Sequence, residues 1–181
     1  MGSVTLPPFH KLAKYEGLGR YAIRKYYAFP YRFFYRKKLK MIVDLMPKDH
    51  IYNNILDYGS GPGIFTPELK RHAINVKSFD MKDVIDPRWR FQAIVCASVL
   101  EFTDIYSRLY FFNRIMSSKA HLYIASPMNT RLSRAYFKLI GDKESRHSHK
   151  KILSEVSKQF KIEEYHTWMK LYFSIKATKL T

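Results

Sequence analysis

From about residue 51 onward, short apolar runs alternate with stretches in which apolar residues recur every three or four positions. The short runs predict strands over 54–58, 76–79, 93–97, 121–125, 161–165 and 171–177. The longer period predicts helices over about 105–116 and 150–160; in the second, Ser148 is placed to cap and Ile152, Leu153, Val156 and Phe160 form the apolar stripe. Between the first two strands, Thr66 reads as an N-cap, with Pro67 at the first helical position and Glu68 in the first turn. Strands alternating with helices predict βαβ units and a mainly parallel sheet.

The pattern before residue 51 is different. Residues 1–16 contain Pro7-Pro8 and little periodicity, and Pro30 divides the following stretch into two helical pieces. In the second piece Tyr31, Tyr35, Leu39, Ile42 and Met46 share one face, while Arg32, Arg36, Lys37 and Lys40 fall elsewhere. This predicts an amphipathic helix ending before Pro47, and an organisation of 1–46 as a helical extension and 47–181 as one α/β domain. At 181 residues and 46% hydrophobic, the chain has length and apolar content for one domain with a core, which excludes wholesale disorder.

Charge sharpens the contrast between the two parts. The net charge is +17, and residues 1–40 hold ten Lys or Arg, one acid (Glu16) and ten aromatics. Basic side chains interleaved with aromatics fit either a phosphate-rich partner for residues 9–40, nucleic acid or an anionic membrane surface, or a helical arm whose aromatics pack on the domain while Lys and Arg face water. The single cysteine, Cys96, excludes an internal disulfide framework and fits a reducing compartment. No apolar stretch has the roughly 18 to 20 residues needed to span a bilayer, so a cytoplasmic chain, peripheral at most to a membrane, is expected.

The candidate chemistry sits in Asp57-Tyr58-Gly59-Ser60-Gly61-Pro62-Gly63. A hydrophobic strand runs into three glycines at two-residue spacing and then into a helix, which lets a ligand lie against bare backbone. A dinucleotide fingerprint is G-x-G-x-x-G, and this loop is G-x-G-x-G. Asp57, two residues before the first glycine, would repel a phosphate and attract an ammonium, so a ligand with an amino-acid moiety fits better. Asp80 follows the second apolar strand, where an acid can accept hydrogen bonds from two ribose hydroxyls.

The loop with Asp80 resembles the signature of the class I S-adenosylmethionine-dependent methyltransferases, D-x-G-x-G-x-G followed by an acid ending the second strand. Phe91–Ala97 continuing into Ser98-Val99-Leu100-Glu101, and Leu122-Tyr123-Ile124-Ala125-Ser126-Pro127, are similar to the fourth- and fifth-strand segments of the small type 11/12 domains. The resemblance implies a Rossmann-like three-layer sandwich with S-adenosylmethionine as cofactor. It implies that Asp57 and the loop Gly59, Ser60, Gly61 and Gly63 meet the methionine portion, that Asp80 holds the ribose, that Met81 or Val84 packs on the adenine, and that Ser98 and Val99 line the sulfonium end. Two departures stand out. Only ten residues, 81–90, separate the second and fourth family strands, too few for a helix and a strand, so the third strand is expected to be shortened or absent. Where many relatives carry His after the Leu-Glu pair, this chain has Phe102.

His147 and His149 precede the helix over 150–160 and follow the fifth family strand, where either imidazole is a candidate catalytic base; the alternative is a polar loop with a helix cap. The function expected is methyl transfer to an oxygen or nitrogen of a small-molecule, lipid or glycan acceptor. Alternatives are an RNA or DNA methyltransferase using the basic arm, and a non-catalytic partner protein of the same fold.

Overall fold

Neighbouring residues of one strand serve opposite cores. In β1 (Tyr52–Tyr58), Ile55 packs with Leu39, Ile42 and Leu69 on one face of the sheet, and Leu56 packs with Leu109, Phe112, Ile152 and Val156 on the other. The same division runs through β3 (Phe91–Ala97), where Ala93 and Val95 face one way and Ile94 and Cys96 the other, and through β4 (Met116–Pro127). A sheet buried on both faces needs nearly continuous apolar strands, which is why these read as runs rather than as alternations. The computed structural model describes residues 6, 27–80, 83–139 and 145–180.

One layer holds α1 (Tyr31–Val43), the single-turn α2 (Thr66–Leu69) and α4 (Arg131–Leu139); the other holds α3 (Ile105–Ile115) and α5 (His149–Gln159). Between them lies a six-stranded sheet in the order β2-β1-β3-β4-β6-β5, with β2 at Ala73–Phe79, β5 at Phe160–Trp168 and β6 at Tyr172–Lys179. The strands β2, β1, β3 and β4 are mutually parallel, and β6 runs antiparallel to both β4 and β5. Among the described residues no strand lies between β2 and β3, so β2 is the outer strand, in accord with the short 81–90 segment.

Two local expectations are corrected. Thr66 is not the N-cap of α2: Phe65 is, with no side-chain bond, and Thr66 lies inside the turn. Its hydroxyl instead donates to Asp57 Oδ2 at 2.8 Å and shares a 2.7 Å bond with Ser78, tying the turn to β1 and β2. Helix α4 has no counterpart in the sequence reading, because its buried stripe is one serine, Ser133, and one aromatic, Phe137, beside half-buried Tyr136. Ser148 does cap α5, accepting from the Lys151 backbone N–H at 3.2 Å.

Candidate functional site

Chain order turns at β1: the path goes from β1 outward to β2 and then returns to β3 on the opposite side. Loops that leave two such strands diverge and open a crevice at their carboxyl ends. Here the glycine loop leaves β1 and Ser98 leaves β3, and both line one cavity of about 230 Å³.

The loop is held open by backbone geometry. Gly59, Gly61 and Gly63 all have positive φ, at 71°, 49° and 70°. The Gly59 and Ser60 N–H groups donate to Phe79 O at 2.7 and 3.1 Å, which fastens the loop to the end of β2. A Cβ on Gly59 would stand 2.2 Å from Val99 Cγ2, whereas one on Gly61 would meet nothing within 4 Å. Gly59 therefore serves packing between the loop and the β3 exit, and Gly61 leaves backbone bare toward the cavity. The Ser60 Oγ is buried with no hydrogen-bond partner.

Asp57, at the end of β1, is 2% exposed and borders the cavity. Burial pushes its carboxyl up to about 6, and the hydrogen bond from Thr66 opposes that rise. A buried carboxylate with a cation-sized space beside it gains most from a ligand that brings an ammonium.

The opposite wall comes from α1. Tyr31, Phe34, Tyr35 and Lys38 face the cavity, joined by Tyr136 and Phe137 of α4 and by Tyr172. The rings are in contact, with Phe34 4.4 Å from Tyr136 and Phe137 5.8 Å from Tyr172 between centroids. Lys38 is 4% exposed; its Nζ donates to Ser98 Oγ at 2.6 Å and lies 4.6 Å from the Tyr35 ring and 5.3 Å from that of Tyr172. Beside them Glu101 is fully buried, accepts from Ser126 Oγ at 2.8 Å through Oε2, and leaves Oε1 without a hydrogen-bond partner. Burial raises its carboxyl, opposed by hydrogen bonds and by the charge of Lys38.

Of the residues singled out from the sequence, Asp57, Gly59, Ser60, Gly61 and Ser98 line this one cavity. Val99 backs Gly59 and Gly63 closes the turn through its N–H to Ser60 O, 2.9 Å. Asp80 directly follows β2, outside the cavity lining, and its N–H donates to Asp83 at 2.7 Å. Met81 lies outside the described residues, and Val84 stands 92% exposed rather than packed. His147 and His149 do not line the cavity: His147 Nε2 is 3.0 Å from Thr103 O, and His149 Nδ1 accepts from the Asn129 N–H at 3.1 Å. Phe102, where the family resemblance leads one to expect His, does line it. Sequence reasoning missed Lys38 and Glu101. Lys38 carried a signal, since it falls three residues after Tyr35 and four before Ile42 on the apolar stripe. Glu101 carried none beyond its place in the Leu-Glu pair.

No family model matches the chain, and no curated protein matches it. Solved structures do. The N-methyltransferase NodS from Bradyrhizobium japonicum, in complex with S-adenosylhomocysteine, is similar at a TM-score of 0.66 and 13% identity over 96% of this chain and 98% of that one. Human N-acetylserotonin methyltransferase in complex with S-adenosylmethionine gives a TM-score of 0.66 at 12% identity, over 97% of this chain and 61% of that one. Geranyl diphosphate C-methyltransferase from Streptomyces coelicolor gives 0.55 at 8% identity, over 82% of this chain and 80% of that one. The chain thus has the Rossmann-like fold of the class I S-adenosylmethionine-dependent methyltransferases.

Proposed function

We propose that this methyltransferase fold binds S-adenosylmethionine and transfers its methyl group to an oxygen or nitrogen of a small-molecule, lipid or glycan acceptor. The observation that carries the reading is a single cavity with two unlike ends: a bare glycine loop beside buried Asp57, and an aromatic wall holding Lys38. The residues present fit the cofactor. Asp57 suits an ammonium, the open space at Gly61 leaves backbone accessible, and Ser60 offers a buried hydroxyl with no partner. Asp57, Gly59, Ser60, Gly61 and Gly63 would hold its amino-acid portion, Asp80 its ribose, and Ser98 and Val99 would lie toward its sulfur. When bound, the cofactor supplies a methyl group already activated by a positive sulfur.

What remains for the chain is to position an acceptor and take its proton. The rings of Tyr31, Phe34, Tyr35, Tyr136 and Tyr172 make a wall suited to a flat or apolar acceptor and exclude water from it. Lys38 is placed to hold an acceptor oxygen and to favour its ionised form, and the unpartnered Oε1 of Glu101 is the acceptor for a proton. A carboxyl whose proton affinity is raised by burial is a better base than an ordinary one once ionised.

Calorimetry with S-adenosylhomocysteine tests the cofactor half directly. Saturable binding is expected, weakened at least tenfold in Asp80→Ala. No heat with either S-adenosylhomocysteine or S-adenosylmethionine overturns the reading.

A further inference from the structure

We propose that the face around the aromatic end of the cavity docks on a membrane surface bearing anionic lipids. It rests on the reading above only in taking the neighbouring cavity as an acceptor site. Three segments far apart in sequence build this face: the start of α1, the start of α4 and the turn between β5 and β6. They are joined by contact. Phe33 of α1 lies 5.7 Å from the Trp168 ring at the end of β5, and Thr130, just before α4, donates through its hydroxyl to Lys170 O in the turn at 2.8 Å.

The apolar tips of all three point outward. Phe29 is 90% exposed, Met169 64%, and Phe33 and Leu132 54% each. Around them stand Arg32, Lys37, Arg131, Arg134 and Lys170, with Lys37 Nζ 5.7 Å from the Trp168 ring. Residues 29–43, 129–139 and 167–173 contain no Asp or Glu at all. Among the described residues, Asp80, Asp83, Asp86 and Asp104 follow β2 and β3 instead, and Asp57 and Glu101 are buried.

Exposed apolar side chains of this size cost free energy in water, and a ring of cations with no ion pair among the described residues repels itself. An anionic lipid surface relieves both, taking Phe, Leu and Met among its headgroups while Lys and Arg meet the phosphates and carboxylates. Nucleic acid would use the cations and the flat rings, and Leu132 and Met169 offer it nothing. Among the described residues no helix is long and apolar enough to cross a membrane. The cavity wall of Tyr31, Phe34, Tyr136 and Tyr172 lies directly behind this face, so an acceptor could enter from the bilayer side.

The test is flotation of the full chain with phosphatidylcholine vesicles, with and without a third of phosphatidylserine. Binding is expected only to the anionic vesicles. The F29S/L132S/M169S variant should partition at least tenfold less, and R131Q/K170Q about thirtyfold less, at ~1 kcal/mol for each charge lost. None of these five residues lines the cavity. S-adenosylhomocysteine binding, measured on the same samples, should be unchanged in both variants, which controls for folding and reports separately on the functional reading. Absence of vesicle binding by the parent chain overturns the docking, as does wild-type partitioning by F29S/L132S/M169S. So does single-stranded RNA that binds more tightly than the vesicles, with an affinity the apolar variant leaves untouched.

Discussion

Asp57→Asn should make the protein more stable and weaken the proposed binding of S-adenosylmethionine, and the size of the first effect follows from burial. The Asp57 carboxyl rises from an ordinary 3.8 to about 6 because it sits in the interior with one hydroxyl donor, Thr66. The folded chain therefore keeps a proton that the unfolded chain releases between about pH 4 and 6, so stability falls as pH rises through that window. At ~1.4 kcal/mol per pH unit, the burden at pH 7.5 is about 3 kcal/mol. An asparagine carries no charge, and its Oδ1 can still accept from Thr66. The variant should gain only about 0.5 kcal/mol at pH 4 and about 3 kcal/mol at pH 7.5, the latter a rise in Tm of roughly 6 to 10 °C for a chain of this size. Urea and thermal unfolding at three pH values measure the gain, and calorimetry measures the accompanying loss of at least tenfold in affinity for S-adenosylhomocysteine. A variant less stable than the parent at pH 7.5, or a gain that does not change with pH, refutes the reasoning.

Two further expectations concern the walls of the cavity. Gly59→Ala should cost about 3 kcal/mol, since its φ of +71° disfavours a side chain and the new Cβ would stand 2.2 Å from Val99 Cγ2. Gly61→Ala, in open space at φ +49°, should cost only about 1 kcal/mol by denaturant titration; equal losses contradict the packing role assigned to Gly59. Lys38→Met leaves buried Glu101 without its nearby cation and should cost about 3 kcal/mol at pH 7.5. Adding Glu101→Gln should recover at least ~1 kcal/mol of that, and strict additivity of the two changes would show that they are uncoupled.

Much of the fold was legible because its signals are local. Ile55 to Gly63 encodes a strand, a turn that only glycine adopts easily and an exit to a helix, and each part is readable from a few residues. That the described residues hold no strand between β2 and β3 was equally readable, from the length of 81–90 alone. The cavity's second wall was not, because it depends on what α1 leans against. Tyr31 and Tyr35 lie on the expected stripe, yet nothing in their spacing tells that α4 and Tyr172 close over the same space. Thr66 shows the converse failure. A threonine before Pro-Glu reads as a cap, but the buried carboxylate nine residues earlier makes a stronger claim on its hydroxyl.

Leaving out one strand has a cost on the far side of the molecule. With β2 outermost, one row of its backbone donors and acceptors has no strand beside it among the described residues, and Ile74 stands 70% exposed on it. Such a border is a template on which another extended chain can add itself. The chain guards it with Lys77, whose ammonium sits 3.3 Å from the centre of the Trp89 ring, which itself leans on Phe79. Trp89, in the short segment before β3, thus acts as a fender: it holds a charge against the border, where a cation disfavours the addition of another strand.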